Sequence, residues 1–169
     1  MKQAIFAFVF AFYVLCSGFP VSAQGEIYAE DVDELKIVYT KLDNAAKNLD
    51  LKTFETYLGE NFRLETAEEN LNKRQMLAKL KDQFALISEI SEAVSTINEI
   101  KVVDGNYVLD VTFVLVGKLA MPDGKSVKFS LTSKSTDIWH RDRWGNWQEH
   151  RQIDLGNKIV IESKKINLA

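Results

Sequence analysis

The chain has 169 residues, of which 46% are hydrophobic and 27% charged, and its formal net charge is −3. That balance excludes wholesale disorder and fibrous repeats, and the length suits one domain with a sizeable core. A slightly acidic chain lacks the basic field that a nucleic-acid partner would require, so none is expected.

Residues 1–23 read as a targeting segment. Lys2 supplies a short positive start, Ala4 to Cys16 is an unbroken apolar run of 13 residues, and Val21-Ser22-Ala23 places small residues after Pro20. This is the pattern of a secretory signal peptide, with cleavage expected after Ala23. A run of 13 is short against the roughly 20 residues that span a bilayer, so no membrane attachment is expected after cleavage. Cys16 would be the acylated residue of a lipoprotein, but Tyr13-Val14-Leu15 lacks the small residues of such a site. Taking Lys2 from the 21 basic residues leaves 20 against 24 acidic ones, a net of −4 for residues 24–169. Cys16 is the only cysteine, so the mature chain would hold no disulfide and no thiolate. The expected location is periplasmic or secreted, and 24–169 reads as a single domain.

Residues 31–48 carry Val32, Leu35, Val38, Tyr39, Leu42 and Ala45-Ala46 at helical spacing, with acids in the first turn where the helix dipole favours them. Asp50 caps a short second helix over 51–58, and 62–65 reads as a short strand. Asn72, with Gln75 three residues on, forms a capping box for a third helix whose apolar face is Met76, Leu77, Leu80, Phe84 and Ile87. Beyond residue 88 the period changes to about 2. Strands are predicted over 90–103, 107–119, 126–140 and 147–155, and 158–161 is a possible further short strand. The separators Asp104-Gly105-Asn106, Pro122-Asp123-Gly124 and Arg143-Trp144-Gly145-Asn146 are turn chemistry.

Helices followed by antiparallel strands predict an α+β domain, with the N-terminal helices packed in the concave face of a strongly curved antiparallel sheet. The strand 107–116 is apolar at both parities, so its second face needs a cover, and a homodimer through that outer face is expected.

Together these features resemble the SnoaL-like and ketosteroid-isomerase-like cone fold, the superfamily that includes nuclear transport factor two. The carrying residues are Ala45-Ala46-Lys47-Asn48-Leu49-Asp50 with Phe54 and Leu58, then Ser135-Thr136-Asp137-Ile138-Trp139-His140-Arg141, Gly145 and Trp147. The last stretch is also similar to the association domain of calmodulin-dependent kinase. The resemblance implies a cone-shaped pocket. The family's steroid isomerases place a tyrosine, an aspartate base and a protonated aspartate there. Counting from Asp50, Leu42 falls at the tyrosine position and Thr66 at the base position, with Glu65 beside it; Asp137 falls at the third. One match of three speaks against isomerase chemistry of that type.

The expected pocket residues are Tyr39, Ser133, Ser135, Asp137, Trp139, Trp147 and Arg151. Ser133, Ser135, Asp137 and Trp139 share one strand face, and Trp147, Glu149 and Arg151 share a face of the next. Arg151 is thus placed to reach Asp137 or Ser135. Asp137 is either half of a buried ion pair that orients the last strands or a ligand contact. His140 and His150 fall on the opposite parity, toward the outer or dimer surface, and no HxH or HExxH spacing points to a metal. Lys79, Lys81 and Asp82 read as a solvated helix face. No metal, cofactor or phosphate loop is expected, and no catalytic residue is assigned. The reading is an exported binder of a small apolar ligand, with no specific function identified. A lyase or isomerase using Asp137 or Glu65, or an assembly module with a filled cone, are the alternatives.

Overall fold

A computed structural model describes residues 25–162; the proposed signal peptide and its cleavage site lie outside the described residues. Three helices precede most of the sheet: α1 (Ala29–Lys47), α2 (Leu51–Tyr57) and α3 (Lys73–Leu86). The strands are β1 (Leu58–Glu65), β2 (Asn70–Asn72), β3 (Ile87–Val103), β4 (Asn106–Ala120), β5 (Ser126–Arg141) and β6 (Trp147–Ile161).

Local chemistry sets the boundaries. α1 buries Leu35, Val38, Tyr39, Ala45 and Ala46 along one stripe and opens on Glu30 and Asp31. It ends where Leu49 adopts φ 54° and the amide of Asp50 reaches back to the Ala45 carbonyl at 2.8 Å. A left-handed residue here is normally glycine; Leu49 is held by packing its side chain against the core cluster around Ala46 and Phe129. The Asp50 carboxylate then caps α2 by accepting from the Lys52 and Thr53 amides. Asn72 and Gln75 make both bonds of the capping box on α3. At the β3–β4 turn Asp104 and Gly105 both have positive φ, the combination that lets a two-residue hairpin follow the twist of its strands.

The sheet order is β2-β1-β6-β5-β4-β3. β3 to β6 form an antiparallel meander, but β1 pairs with β6 in parallel. The expectation of an antiparallel sheet throughout therefore fails at one seam. β1 and β6 are remote in sequence, and no hairpin turn dictates their relative direction. The segment 158–161 is not a separate strand either: β6 runs on through it, kinked at Gly156 (φ 128°) where its register with β5 shifts.

Register shifts interrupt β3 at three places and the β5–β6 pair at two, and each extra residue bends the ribbon. Gly117 serves one such bend. A Cβ there would stand 2.4 Å from the Glu89 carbonyl oxygen and 3.1 Å from the Phe129 ring. The resulting concave face holds the helices, with α1 against β3 and α3 against β1. Leu35, Val38, Tyr39, Leu109, Val111 and Trp139 pack at one end of the cone, and Ala46, Ile90, Ala93, Leu115 and Phe129 pack further along it. A third cluster, Leu58, Phe62, Leu64 and Leu71, sits beneath α3.

Candidate functional site

β5 and α1 build the centre of the site. Alternation along β5 turns Phe129, Ser135, Asp137 and Trp139 toward the helices, where all four are buried; half-buried Ser133 shares their parity. Tyr39 points from the buried stripe of α1 at the same place. Its hydroxyl donates to Asp137 Oδ2 at 2.6 Å and accepts from Trp139 Nε1 at 3.1 Å. The two rings meet edge to face at 5.8 Å. So Tyr39, and not Leu42, brings a hydroxyl to Asp137; Leu42 is a partly buried apolar residue of the same core. Thr66 is occupied in the β1–β2 turn, accepting from the Glu68 and Glu69 amides.

Arg151 does not face Asp137. Its expected placement assumed unbroken alternation from Trp147, but a bulge intervenes: Trp139 pairs with Glu149 and Ile138 with Arg151, so His150 is the extra residue. Past the bulge the parity inverts, and Gln152 takes the inward place opposite Asp137, donating to its Oδ1 at 3.1 Å. Arg151 turns to the outer face and pairs with Glu65 at 2.6 Å, which also removes Glu65 as a free carboxylate. The buried ion pair between Asp137 and Arg151 is therefore absent. Trp147 faces inward as expected but belongs to the end of the cone. Its Nε1 donates to Glu34, its ring meets Tyr107 edge to face, and the Arg141 guanidinium lies over it.

Glu149 belongs to the site although Trp147 and Arg151, not Glu149, were the candidates from its strand. It is 6% exposed, lies inward opposite Trp139, and its Oε1 has no hydrogen-bond partner. Asp137 is diagonal to it across the strand pair, within reach of a long side chain. Burial raises the pKa of Glu149 well above the usual carboxyl range, and the nearby Asp137 charge adds to the shift. Burial also raises Asp137, against the opposing hydrogen bonds of Tyr39 and Gln152. The Tyr39 phenol rises well above its ordinary value, first through burial and then through the Asp137 charge. With no cation among these partners, a neutral Glu149 acid beside a hydrogen-bonded Asp137 is the arrangement that burial favours. Such a pair can donate and accept a proton in apolar surroundings.

An open groove of about 550 Å³ runs between α1, α2 and the β5–β6 turn, walled by Glu34, Val38, Lys41, Tyr57, Trp147 and Gln148. A second, of about 380 Å³, continues along α1 and α2 and shares Lys41, Thr56 and Tyr57. Neither includes Asp137. Tyr57 connects the two places, because its ring packs edge-on against Trp139 at 6.4 Å.

Among the described residues, no three or more His, Cys, Asp or Glu side chains stand close enough to hold a metal ion. His140 and His150, whose sequence spacing matches no metal motif, are neighbours in the fold, with ring centroids 5.6 Å apart. The parity of His140 puts the pair on the face away from the helices.

No family model matches the chain, and no curated protein is similar enough in sequence to match it. Solved structures do match. A conserved protein from Planctomyces limnophilus superposes with a TM-score of 0.62 at 21% identity, over 78% of this chain and 99% of its own. An NTF2-like protein of unknown function in nutrient uptake from Rhodospirillum rubrum gives 0.53 at 20%, over 70% and 93%. LinA gives 0.60 at 11%, over 81% and 92%. The chain has the NTF2-like, SnoaL-like cone fold.

Proposed function

We propose that the protein binds a small, uncharged and largely apolar molecule on the concave side of its sheet, with Tyr39, Asp137, Trp139 and Glu149 as the polar end of the site. One observation carries this reading. Two carboxyl groups are buried side by side without a cation, and one of them leaves an oxygen unpartnered. A buried polar group without a partner is costly, and a ligand that meets the Glu149 oxygen would offset that cost. The fold supports the reading, since it is a small-molecule-binding architecture, and the lack of charge compensation favours an uncharged ligand. Entry is through the groove at Tyr57, whose ring must turn for a ligand to reach Trp139. Ser133 and Ser135 share the inward parity of Asp137 further along β5. An enzyme would use the same carboxyls as acid and base.

Export, by way of residues 1–23, and a second copy seated on the outer face belong to this proposal. Half-buried Val108, Val114, Val116 and Ile138 and exposed Val94 give the outer face its apolar character. The assembly-module reading keeps one observation of its own: Trp139, Leu109 and Leu35 are fully buried, so that end of the cone is closely packed.

A thermal-shift screen of uncharged apolar compounds separates the two readings. Binding in the cone predicts compounds that raise Tm for the natural chain, lose that effect in Asp137→Asn and Glu149→Gln, and keep it in the groove variant Gln148→Ala. Hits that ignore Asp137 and Glu149, or no hits in a screen where Tyr57→Ala also shows none, favour the assembly module.

A further inference from the structure

The chain contains two histidines, ten residues apart in sequence, and the fold brings them together. His140 stands on β5 in register with Gln148, and His150 is the extra residue of the β6 bulge. Without the bulge, strict alternation would continue through His150 to Arg151; with it, His150 is set free of the pairing pattern and its ring meets that of His140. Bulges re-aim side chains and concentrate beside functional sites. The rings are 5.6 Å apart between centroids and nearly perpendicular, at 82°.

We propose that His140 and His150 form a two-imidazole site for a divalent transition-metal ion, of the Cu²⁺, Ni²⁺ and Zn²⁺ class, on the outer face of the sheet. The distance is the main argument. An imidazole nitrogen binds such an ion at about 2.0–2.1 Å, which places each ring centroid about 3.2 Å from the metal and two rings at a tetrahedral angle about 5.2 Å apart. The observed spacing is close to that. Two flat rings packed for burial alone would gain by covering apolar surface, yet His150 is exposed and His140 only half-buried. Imidazole suits these ions better than it suits magnesium or calcium, and two protein ligands leave positions open for water or a further donor. The site is independent of the concave pocket, since it lies on the opposite face and beyond Ile138 toward the turn.

Tag-free protein stripped with a chelator and titrated with CuSO₄ and with ZnCl₂ tests the site. One ion per chain is expected, with copper bound more tightly than zinc. His140→Ala and His150→Ala should each weaken binding at least tenfold, and the double variant should be little worse than either, because a chelate is lost with its first ligand. The copper complex should show two imidazole nitrogens in its electron paramagnetic resonance spectrum. His150→Gln, an exposed change that leaves the fold intact by circular dichroism, should behave like His150→Ala. Single variants that bind within twofold of the natural chain, or a copper spectrum without imidazole nitrogens, would overturn the proposal.

Discussion

Among the described residues there are two tyrosine–carboxylate pairs, and they differ in what surrounds them. At the end of the cone Tyr107 donates to Asp31, and Arg141 pairs with the same carboxylate and with Glu34. Arg141 and then Tyr107 hold Asp31 below its ordinary pKa, while burial and then Asp31 push the Tyr107 phenol up to about 12. Deeper in the cone Tyr39 donates to Asp137, but no cation joins them and the next carboxyl, Glu149, is buried too. The same hydrogen bond therefore sits beside an ionised carboxylate in one place and beside carboxyls that resist ionisation in the other. A compensating arginine makes the first cluster a structural clamp between α1 and the last hairpin. Its absence makes the second a candidate site.

The tyrosines should feel this difference most. Tyr39→Phe leaves Asp137 Oδ2 and Trp139 Nε1 without their partner, both buried. At about 1–3 kcal/mol for each orphaned group, a loss of about 3 kcal/mol is expected in denaturant unfolding. Tyr107→Phe leaves Asp31 its arginine, and a cost of at most about 1 kcal/mol is expected. Equal costs would erase the distinction between the clusters.

A smaller effect sharpens it through pH. Glu149 keeps its proton in the native state above the ordinary carboxyl value of about 4.3, where the unfolded chain releases it. The native state then binds more protons, so stability falls as pH rises from that value to the folded pKa, by at most about 1.4 kcal/mol per unit for this group. Asp137 adds a slope of the same sign. Glu149→Gln should flatten the decline in chemical denaturation at a series of pH values. An unchanged slope would place the titration elsewhere. The smallest effect belongs to Asp31, whose folded pKa is depressed. Its contribution is present above the ordinary aspartate range and is lost as pH falls. Because the pair is partly open to solvent, Asp31→Asn should cost less than about 1 kcal/mol at neutral pH and nothing in acid, as read by Tm.

Much of this was legible in the sequence. The helix caps at Asp50 and Asn72 and the turn at Asp104-Gly105 rest on contacts between residues a few positions apart. Alternation on β5 likewise placed Ser135, Asp137 and Trp139 on one inward face. Tyr39 was recognisable as an inward α1 residue, although counting from Asp50 pointed to Leu42 instead. Glu149, which precedes the bulge, was placed on the correct face with Trp147 but not singled out; Arg151, which follows it, was placed inward in error, and Gln152 was not assigned, because the bulge at His150 intervenes. One extra residue reverses the side chains that follow, here as far as the second register shift at Leu155, and nothing in Gln148-Glu149-His150-Arg151-Gln152 announces it.

What the amino-acid order determined alone was therefore the set of elements and the faces of each unbroken stretch, because periodicity, capping and turn preference act over a few residues. The tertiary structure decided what meets across strands: the parallel seam of β1 with β6, the exchange of Arg151 for Gln152 beside Asp137, and the meeting of His140 with His150. These depend on register, and register is settled by the packing of the whole sheet against its helices, where the free energy of a slipped strand is lost over many residues at once.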